Sequence, residues 1–509
     1  MMNQLVIVLD FGGQYRELIA RRVRECSVSS VIWPGDTPIE KIQEAEPIGI
    51  ILTGGPDSVY LPGAPKCDPG LFSIGIPVLG ICYGMHLITE GMGGAVRQGS
   101  VSELGRISMT VDVSCPIFAG LGPTQTGLMS HTDHIAALPE GFASVGKTKN
   151  CANAAFADTS RNIYGVQFHP EVENTPNGTE MIRNFLYNVC GAVGDYDIGD
   201  YEARMIEEIR AQAGDDRVLL GLSGGVDSSV CAALLAKAIP GKVYCILVDH
   251  GFLRKNEGDE IVSAFPWKRK LRLMRVDASA RFLELLRGVT DPEAKRKIIG
   301  AEFIRVFEEE AKKLGDIRFL AQGTIYPDVV ESGTNKSAVI KSHHNVGGLP
   351  DTMSFETLVE PLRGLFKDEV RQLGRRLGLP RLLTHRQPFP GPGLAVRIIG
   401  EVTREKLDIL RESDHIFREE LKQMRDRPDQ YFAVLTDTRS VGVKGDFRTY
   451  GYTIALRAVK TTDFMTCEYS HIPHKLLNRI VARIAGEVDG VTRVVYDITG
   501  KPPATIEWE

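Results

Sequence analysis

Ser223-Gly224-Gly225-Val226-Asp227-Ser228-Ser229 decides how the middle of this chain is read. The segment follows an apolar run, Arg217-Val218-Leu219-Leu220-Gly221-Leu222, that reads as a buried strand. It precedes Val230-Cys231-Ala232-Ala233-Leu234-Leu235-Ala236-Lys237, which reads as the first turns of a helix. A strand, a Gly-rich turn and a helix N-terminus aim several backbone N–H groups at one spot. The helix dipole adds about half a positive charge there, so the spot favours phosphate. The loop lacks the Gly-Lys-Ser/Thr ending of a Walker A loop, which argues against ordinary γ-phosphate transfer. Asp227 and the hydroxyls of Ser228 and Ser229 are the groups that a magnesium–pyrophosphate needs beside the glycines. A plain Gly/Ser turn would not require them.

Outward from this loop the chain alternates short apolar strands with helical stretches. A strand at 243–248 ends in Asp249-His250-Gly251, and one at 318–321 runs into Gln322-Gly323-Thr324. Ligands in open α/β sheets sit beyond the carboxyl ends of strands, where all these loops fall. Upstream, strands are predicted at 5–9, 31–33, 49–52 and 77–79, with an Arg-rich amphipathic helix at 17–25. Segments 106–113, 144–148 and 163–168 alternate as half-exposed strands do, a helix at 178–190 follows, and 191–197 reads as a linker. A helix at 201–212 leads into the Ser-Gly-Gly unit. Phe389-Pro390-Gly391-Pro392-Gly393 punctuates the chain, after which strands at 431–435, 452–458 and 492–497 and a helix at 475–487 make a smaller unit. The predicted class is α/β: two open, largely parallel-sheet domains, 1–192 and 193–384, then a smaller α+β domain, 385–509.

At 509 residues the chain exceeds a single core, and about two to four domains are expected. Lys and Arg total 60 against 65 acidic residues, a net charge of −5, which argues against nucleic-acid binding by general electrostatics. The nine cysteines include no Cys-x-x-Cys pair, so neither a disulfide scaffold nor a zinc ribbon is indicated. The opening apolar run is too short for a signal or membrane segment. A reducing cytoplasm is the expected compartment, with no membrane partner.

Gly80-Ile81-Cys82-Tyr83-Gly84 is the cysteine form of a nucleophile elbow. Glycines flank the nucleophile because the strand-to-helix turn leaves no room for Cβ atoms. Cys82 then sits at a helix N-terminus, which supports a reactive thiolate. His169, after a strand and two residues before Glu171, can take and return a proton while the carboxylate orients the imidazole. Thr53-Gly54-Gly55-Pro56 can aim the N–H of Gly55 at an oxyanion, paired with the N–H of Tyr83. Taken singly, each has a bland reading: a buried cysteine, a structural histidine, a glycine turn. Together Cys82, His169 and Glu171 resemble the triad of class I glutamine amidotransferases. That family commonly has glutamine where this chain has His86.

The Ser-Gly-Gly loop resembles the pyrophosphatase loop of enzymes that cleave ATP between its α and β phosphates. Longer segments extend the likeness: Asp249 to Glu257, Gln322 to Asp328, Ile340 to Pro350, Pro388 to Leu394 and Lys501 to Glu509. Through them the chain resembles the glutamine-hydrolysing GMP synthetase family over essentially its full length. The resemblance implies that ATP adenylates the O2 of xanthosine 5′-monophosphate (XMP), and that ammonia from glutamine displaces AMP to give GMP. It implies ATP contacts from Ser223, Gly224, Gly225, Val226, Asp227, Ser228 and Ser229, with Asp227 a direct or water-mediated Mg²⁺ ligand. XMP contacts are implied at Arg254, Arg493, Lys501, Ile506 and Glu507, and a lid carrying Lys341, His343 and His344. A homodimer through the C-terminal domain is implied as well. His131-x-x-His134 and His471-x-x-His474 lack a neighbouring carboxylate or cysteine grouping and read as non-metal. The competing readings keep the ATP chemistry with another acceptor (NAD or asparagine synthesis, tRNA thiolation), or make the chain a nucleotide-binding regulator without catalysis. Thiolation would want a cysteine pair and a basic surface, and a regulator would not need an intact triad and loop.

Overall fold

A computed structural model describes residues 4–265, 270–315, 317–331, 355, 357–461 and 466–509. Contacts divide the chain into two compact units, the first ending at Asp200 and the second beginning at Tyr201.

The first unit holds β1 (Leu5–Asp10), β2 (Ser29–Pro34), β3 (Gly49–Leu52), β4 (Val78–Ile81), β5 (Ala95–Val111), β6 (Thr124–Ala137), β7 (Ala143–Lys147), β8 (Ala155–Asp158) and β9 (Ile163–Val166). They form one sheet in the order β2-β1-β3-β4-β9-β8-β7-β5-β6. The strands from β2 to β9 are parallel and the rest antiparallel. The sequence explains the division. Gly-Ile-Ile-Leu in β3 and Val-Leu-Gly-Ile in β4 are buried throughout, as strands covered on both faces must be. By contrast β6 alternates buried and exposed residues. Register sets Gly80 opposite Gly165 and Ile81 opposite Val166, so Cys82 and Gln167 leave the sheet side by side. The helix expected at 178–190 is regular only over Gly178–Asn184 and ends in a π-turn over Phe185–Val189.

The second unit begins within the helix Ile198–Ala213 and continues into a five-stranded sheet. Its strands are β10 (Val218–Gly221), β11 (Val243–Asp249), β12 (Leu271–Asp277), β13 (Phe319–Ala321) and β14 (Thr357–Val359), in the order β12-β11-β10-β13-β14 and all parallel. The chain leaves β10 to one side for β11 and β12, then returns to its other side at β13. The switch point therefore lies at β10, whose loop is the Ser-Gly-Gly segment. A second sheet joins β15 (Gln430–Lys444), β16 (Phe447–Lys460), β17 (Glu468–Tyr469) and β18 (Val491–Asp497), with the helices Arg404–Leu421 and His474–Glu487 beside it.

Phe389-Pro390-Gly391-Pro392-Gly393 interrupts regular structure without interrupting the core. Gly393, at φ +63°, lies so close to Phe252 that a Cβ would meet its carbonyl oxygen at 2.4 Å. Leu394 N donates to that same carbonyl at 2.8 Å. One apolar cluster runs from Leu219, Ile246 and Phe252 through Leu394 and Ile398 to Leu410, Phe417 and Ile454. The expected division at 384/385 thus carries no break in packing. Among the described residues, no helix is long and apolar enough to cross a membrane.

Candidate active sites

The first site forms where β4 turns into the helix Tyr83–Gly91. Cys82 stands between them at φ +53°, ψ −106°, outside the regions an L-residue prefers, and is buried. Close approach forces that turn. A Cβ on Gly84 would sit 2.5 Å from the Leu52 carbonyl oxygen, and one on Gly80 would sit 2.6 Å from the Gly84 carbonyl. The sulfur therefore projects from a tight elbow beyond the carboxyl ends of β3, β4 and β9.

His169 is fixed from several directions. Its N–H donates to the Leu128 carbonyl at 3.0 Å, and its own carbonyl accepts from Thr175 Oγ1 at 2.6 Å. Tyr15 meets the ring edge-on at 5.1 Å. Nδ1 lies 2.8 Å from Glu171 Oε1. Both His169 and Glu171 are buried. Burial alone would pull the imidazole down. The Glu171 charge first, with the Glu171 hydrogen bond and the neighbouring Cys82, more than offsets it and holds His169 well above the ordinary histidine range. Gly54 follows β3 and closes the site: a Cβ there would lie 3.2 Å from the His169 ring and 3.7 Å from Cys82 Cβ. Gly55 packs equally tightly against Phe11 and the Tyr83 ring. Sequence and structure thus bring Cys82, His169, Glu171, Gly55 and Tyr83 into one place.

That place holds a further residue which spacing did not single out. Gln167 Nε2 donates toward Cys82 Sγ at 3.8 Å, while its Oε1 lies 2.8 Å from His86 Nε2. Gln167 was legible only as part of the strand leading to His169.

The second site is the turn after β10. The helix starts at Val226, four residues earlier than expected, with Gly225 as its extended N-cap. Ser229 Oγ donates to the Gly225 carbonyl at 2.7 Å, and the hydroxyls of Ser223 and Ser228 pair at 3.0 Å. Gly224 has φ +74°, a conformation that glycine adopts without strain. Arg386 donates to its carbonyl at 2.6 Å. Asp227 pairs through Oδ2 with Lys367, while Oδ1 is buried with no hydrogen-bond partner among the described residues. A free acceptor at a helix N-terminus, flanked by hydroxyls, fits a cation shared with phosphate oxygens. Lys367 comes from the start of a helix 140 residues further along, and no local pattern pointed to it.

A third cluster gathers the carboxyl end of the chain. Arg397 holds both oxygens of Glu507, at 2.7 and 3.0 Å, and Gln430 Nε2 donates to one of them at 3.0 Å. Arg457, wholly buried, donates to the Ile506 and Thr505 carbonyls. Phe389 stacks under Arg254 at 4.1 Å and Arg397 at 5.1 Å, joining Arg254 to this group. Burial, then the neighbouring guanidinium groups of Arg418 and Arg397, hold Arg254 well below the ordinary arginine range. Nε and Nη1 of Arg254 and Nη1 of Arg397 have no hydrogen-bond partner among the described residues. Glu257 lies 3.6 Å from Arg254 Nη1, beyond hydrogen-bond distance, and guanidinium donors left unused in this way can take an anionic ligand. Lys501 exchanges backbone hydrogen bonds with Cys467 nearby. Arg493 stands on the exposed face of β18, with Ser440 Oγ at 3.4 Å from its Nε. The expected lid residues Lys341, His343 and His344 lie outside the described residues. Among the described residues, no group of three His, Cys, Asp or Glu side chains could hold a metal by itself.

Comparison with known proteins gives three family matches along the chain. The family model Glutamine amidotransferase class-I matches residues 7–189, NAD synthase matches 200–264, and GMP synthase C terminal domain matches 419–508. The glutamine-hydrolysing GMP synthases of Caldicellulosiruptor saccharolyticus and Acetivibrio thermocellus are each 57% identical to it over the whole of both chains. Among solved structures, a putative GMP synthase protein from Thermoplasma acidophilum is 30% identical over 38% of this chain and 96% of its own, with a TM-score of 0.33. Full-length identity of the degree seen with the two synthases leaves no segment for another plan: the chain belongs to the glutamine-hydrolysing GMP synthase family.

Proposed function

We propose that this chain makes GMP from XMP by coupling glutamine hydrolysis to ATP-driven adenylation. The observation that carries the reading is the buried Cys82–His169–Glu171 arrangement on a strained elbow, within a chain matched end to end by GMP synthases. Cys82 sulfur attacks the glutamine amide carbon, and the N–H groups of Gly55 and Tyr83 receive the oxyanion. His169, held as imidazolium by Glu171, gives its proton to the departing ammonia. Water, deprotonated by the same imidazole, then releases glutamate from the thioester.

The second unit activates the acceptor. The loop Ser223–Ser229, including Gly224, Gly225, Val226 and Ser228, cradles the pyrophosphate of ATP, with Lys367 beside Asp227 to meet its charge. Asp227 would hold Mg²⁺, which would supply positive charge to the phosphate oxygens. XMP O2 attacks the α phosphorus, pyrophosphate leaves, and ammonia at C2 expels AMP. Arg254, Arg493, Lys501, Ile506 and Glu507 hold XMP. By role, residues 193–384 serve adenylation and 385–509 serve XMP binding and homodimer contact, in a cytoplasmic enzyme.

Pyrophosphate release from MgATP and ammonium, with and without XMP, tests the reading. Release only with XMP, together with GMP and AMP, is the expected result. Cleavage indifferent to XMP would transfer the chain to another acceptor. Cys82→Ala should abolish glutamine-dependent synthesis while ammonia-dependent synthesis persists. Asp227→Ala should stop XMP-dependent pyrophosphate release from ATP with either nitrogen source.

A further inference from the structure

We propose that Gln167 is a catalytic group of the glutaminase site, donating its side-chain N–H to the Cys82 sulfur, and that His86 is the positioning residue that keeps the amide turned that way. The proposal rests on Cys82 being the nucleophile.

The geometry is directional. Gln167 leaves the end of β9 beside Cys82 because Val166 and Ile81 are in register, and its backbone N–H is fixed by the Ala154 carbonyl at 2.8 Å. The side chain is wholly buried, so both ends of the amide need partners inside the protein. One end faces sulfur at 3.8 Å and the other faces His86 Nε2 at 2.8 Å. A flipped amide would set a carbonyl oxygen against a thiolate, two acceptors without a proton between them.

His86 opposes the flip in the tautomer that carries its proton on Nε2. It is buried, and burial lowers its proton affinity below the ordinary histidine range. The Gln167 hydrogen bond and Asp133 oppose that effect in part, while His131 and His134 of β6 add to it. The ring is therefore neutral, and a neutral imidazole offers one N–H. With Nε2 donating to Gln167 Oε1, the amide nitrogen can point only at sulfur. Asp133 is itself held by Tyr60 Oη at 2.9 Å. The charged groups facing Cys82 on the other side are His169 and Glu171, which act on the proton rather than on this contact. Because its Nε2 is committed to Gln167, the His86 ring serves the nucleophile through that amide.

Alkylation of Cys82 by iodoacetamide, followed across pH by mass spectrometry of the Cys82 peptide in the full chain, reads the contact directly. Losing a donor to a thiolate should slow alkylation about tenfold at neutral pH, a shift of about one unit in the half-maximal pH. Gln167→Leu, Gln167→Met and His86→Leu should all show this shift, with glutaminase kcat reduced more than glutamine KM is raised. His86→Gln should recover the wild-type midpoint, because its amide N–H can replace Nε2–H. Ammonia-dependent GMP synthesis confirms that each variant is folded. A wild-type midpoint in both Gln167 variants, or a His86→Gln that behaves like His86→Leu, would overturn the proposal. If Cys82→Ala kept glutamine-dependent synthesis, the nucleophile reading itself would fall instead.

Discussion

Glu171→Gln isolates the charge of the orienting carboxylate from its shape. In the structure the carboxylate is wholly buried and lies 2.8 Å from His169 Nδ1. Glutamine can still accept the Nδ1–H, so one hydrogen bond is kept and its ionic character lost. A charge-assisted bond contributes about 1.5–3 kcal/mol and a neutral one about 0.5–1.5, so the variant should lose about 1–1.5 kcal/mol. Coulomb's law at this separation and an effective dielectric of about 20 gives a ceiling near 6 kcal/mol, which desolvation of the same pair reduces. The lower figure predicts about a five- to twelvefold fall in kcat/KM for glutamine. The sign on pH follows from the same interaction. Burial lowers the imidazole, Glu171 raises it, and the net effect is upward. Removing the charge lets burial prevail, so the imidazolium is lost at lower pH and the alkaline limb of the glutaminase profile moves acidward. Glutamate release in the presence of XMP and MgATP gives the profile, and ammonia-dependent synthesis reports folding. A variant within about twofold of wild type, with its alkaline limb unmoved, would mean that Glu171 does not support the imidazolium.

Three other perturbations test the surrounding structure. Cys82→Gly should be more stable than Cys82→Ala by about 1–2 kcal/mol, because glycine relieves the positive φ at the elbow. Equal melting temperatures for the two would remove the strain from the account. His250 is buried, and burial first, then Arg411, push it down to about 4 against the pull of Asp249. An unfolded histidine near 6.5 binds protons that the folded one refuses, so stability present above about 6.5 declines as pH falls, by about 2 kcal/mol at pH 5. Urea unfolding of His250→Gln should show a flatter dependence over that interval, and an unchanged slope would contradict this origin. Lys295 is completely buried and donates to the Ile398 carbonyl at 2.7 Å and Glu509 Oε2 at 2.6 Å. Lys295→Met should cost about 3 kcal/mol by stranding the carboxylate and the carbonyl. A urea midpoint within error of wild type would show that Glu509 finds water instead.

Legibility of the fold followed burial. β3, β4 and β11 are buried at every position, and their continuous apolar runs were visible with nearly correct limits. The hairpin of β5 and β6 was only half visible, because Thr124–Ala137 carries Thr, Gln, Ser, His and Asp on a half-exposed surface. The long helix Pro292–Lys313 escaped notice for a related reason: its charged residues outnumber its apolar ones. Val226 to Ser229 read as loop because Asp and Ser favour turns, yet Asp and Ser are also what a helix start accepts.

The sites divide along a different line, the distance in sequence between partners. Cys82 and Gly84, or His169 and Glu171, are two residues apart, and short spacing is what a motif records. Register adds what spacing cannot. Gln167 belongs to the same short segment as His169, but its contact with Cys82 exists only because β4 and β9 are neighbours with Ile81 opposite Val166. The carboxyl-terminal cluster goes further, since Arg397, Gln430 and Arg457 reach Glu507 and Ile506 across 110, 77 and 49 positions. Each is an ordinary residue in its own surroundings: an arginine in a short turn, a strand-end glutamine, a strand arginine. Burial changes their meaning. A guanidinium with no exposure must have its charge met by protein or ligand, and Glu507 meets that of Arg397 only in part, leaving Nη1 without a partner among the described residues. Adjacent, Arg254 keeps two N–H groups unused under the same crowding. Glu257 stands 3.6 Å from Arg254 Nη1, so each of these guanidinium groups has a carboxylate partner and still keeps unused N–H groups, an arrangement that can accept a further anion such as the phosphate of the proposed substrate.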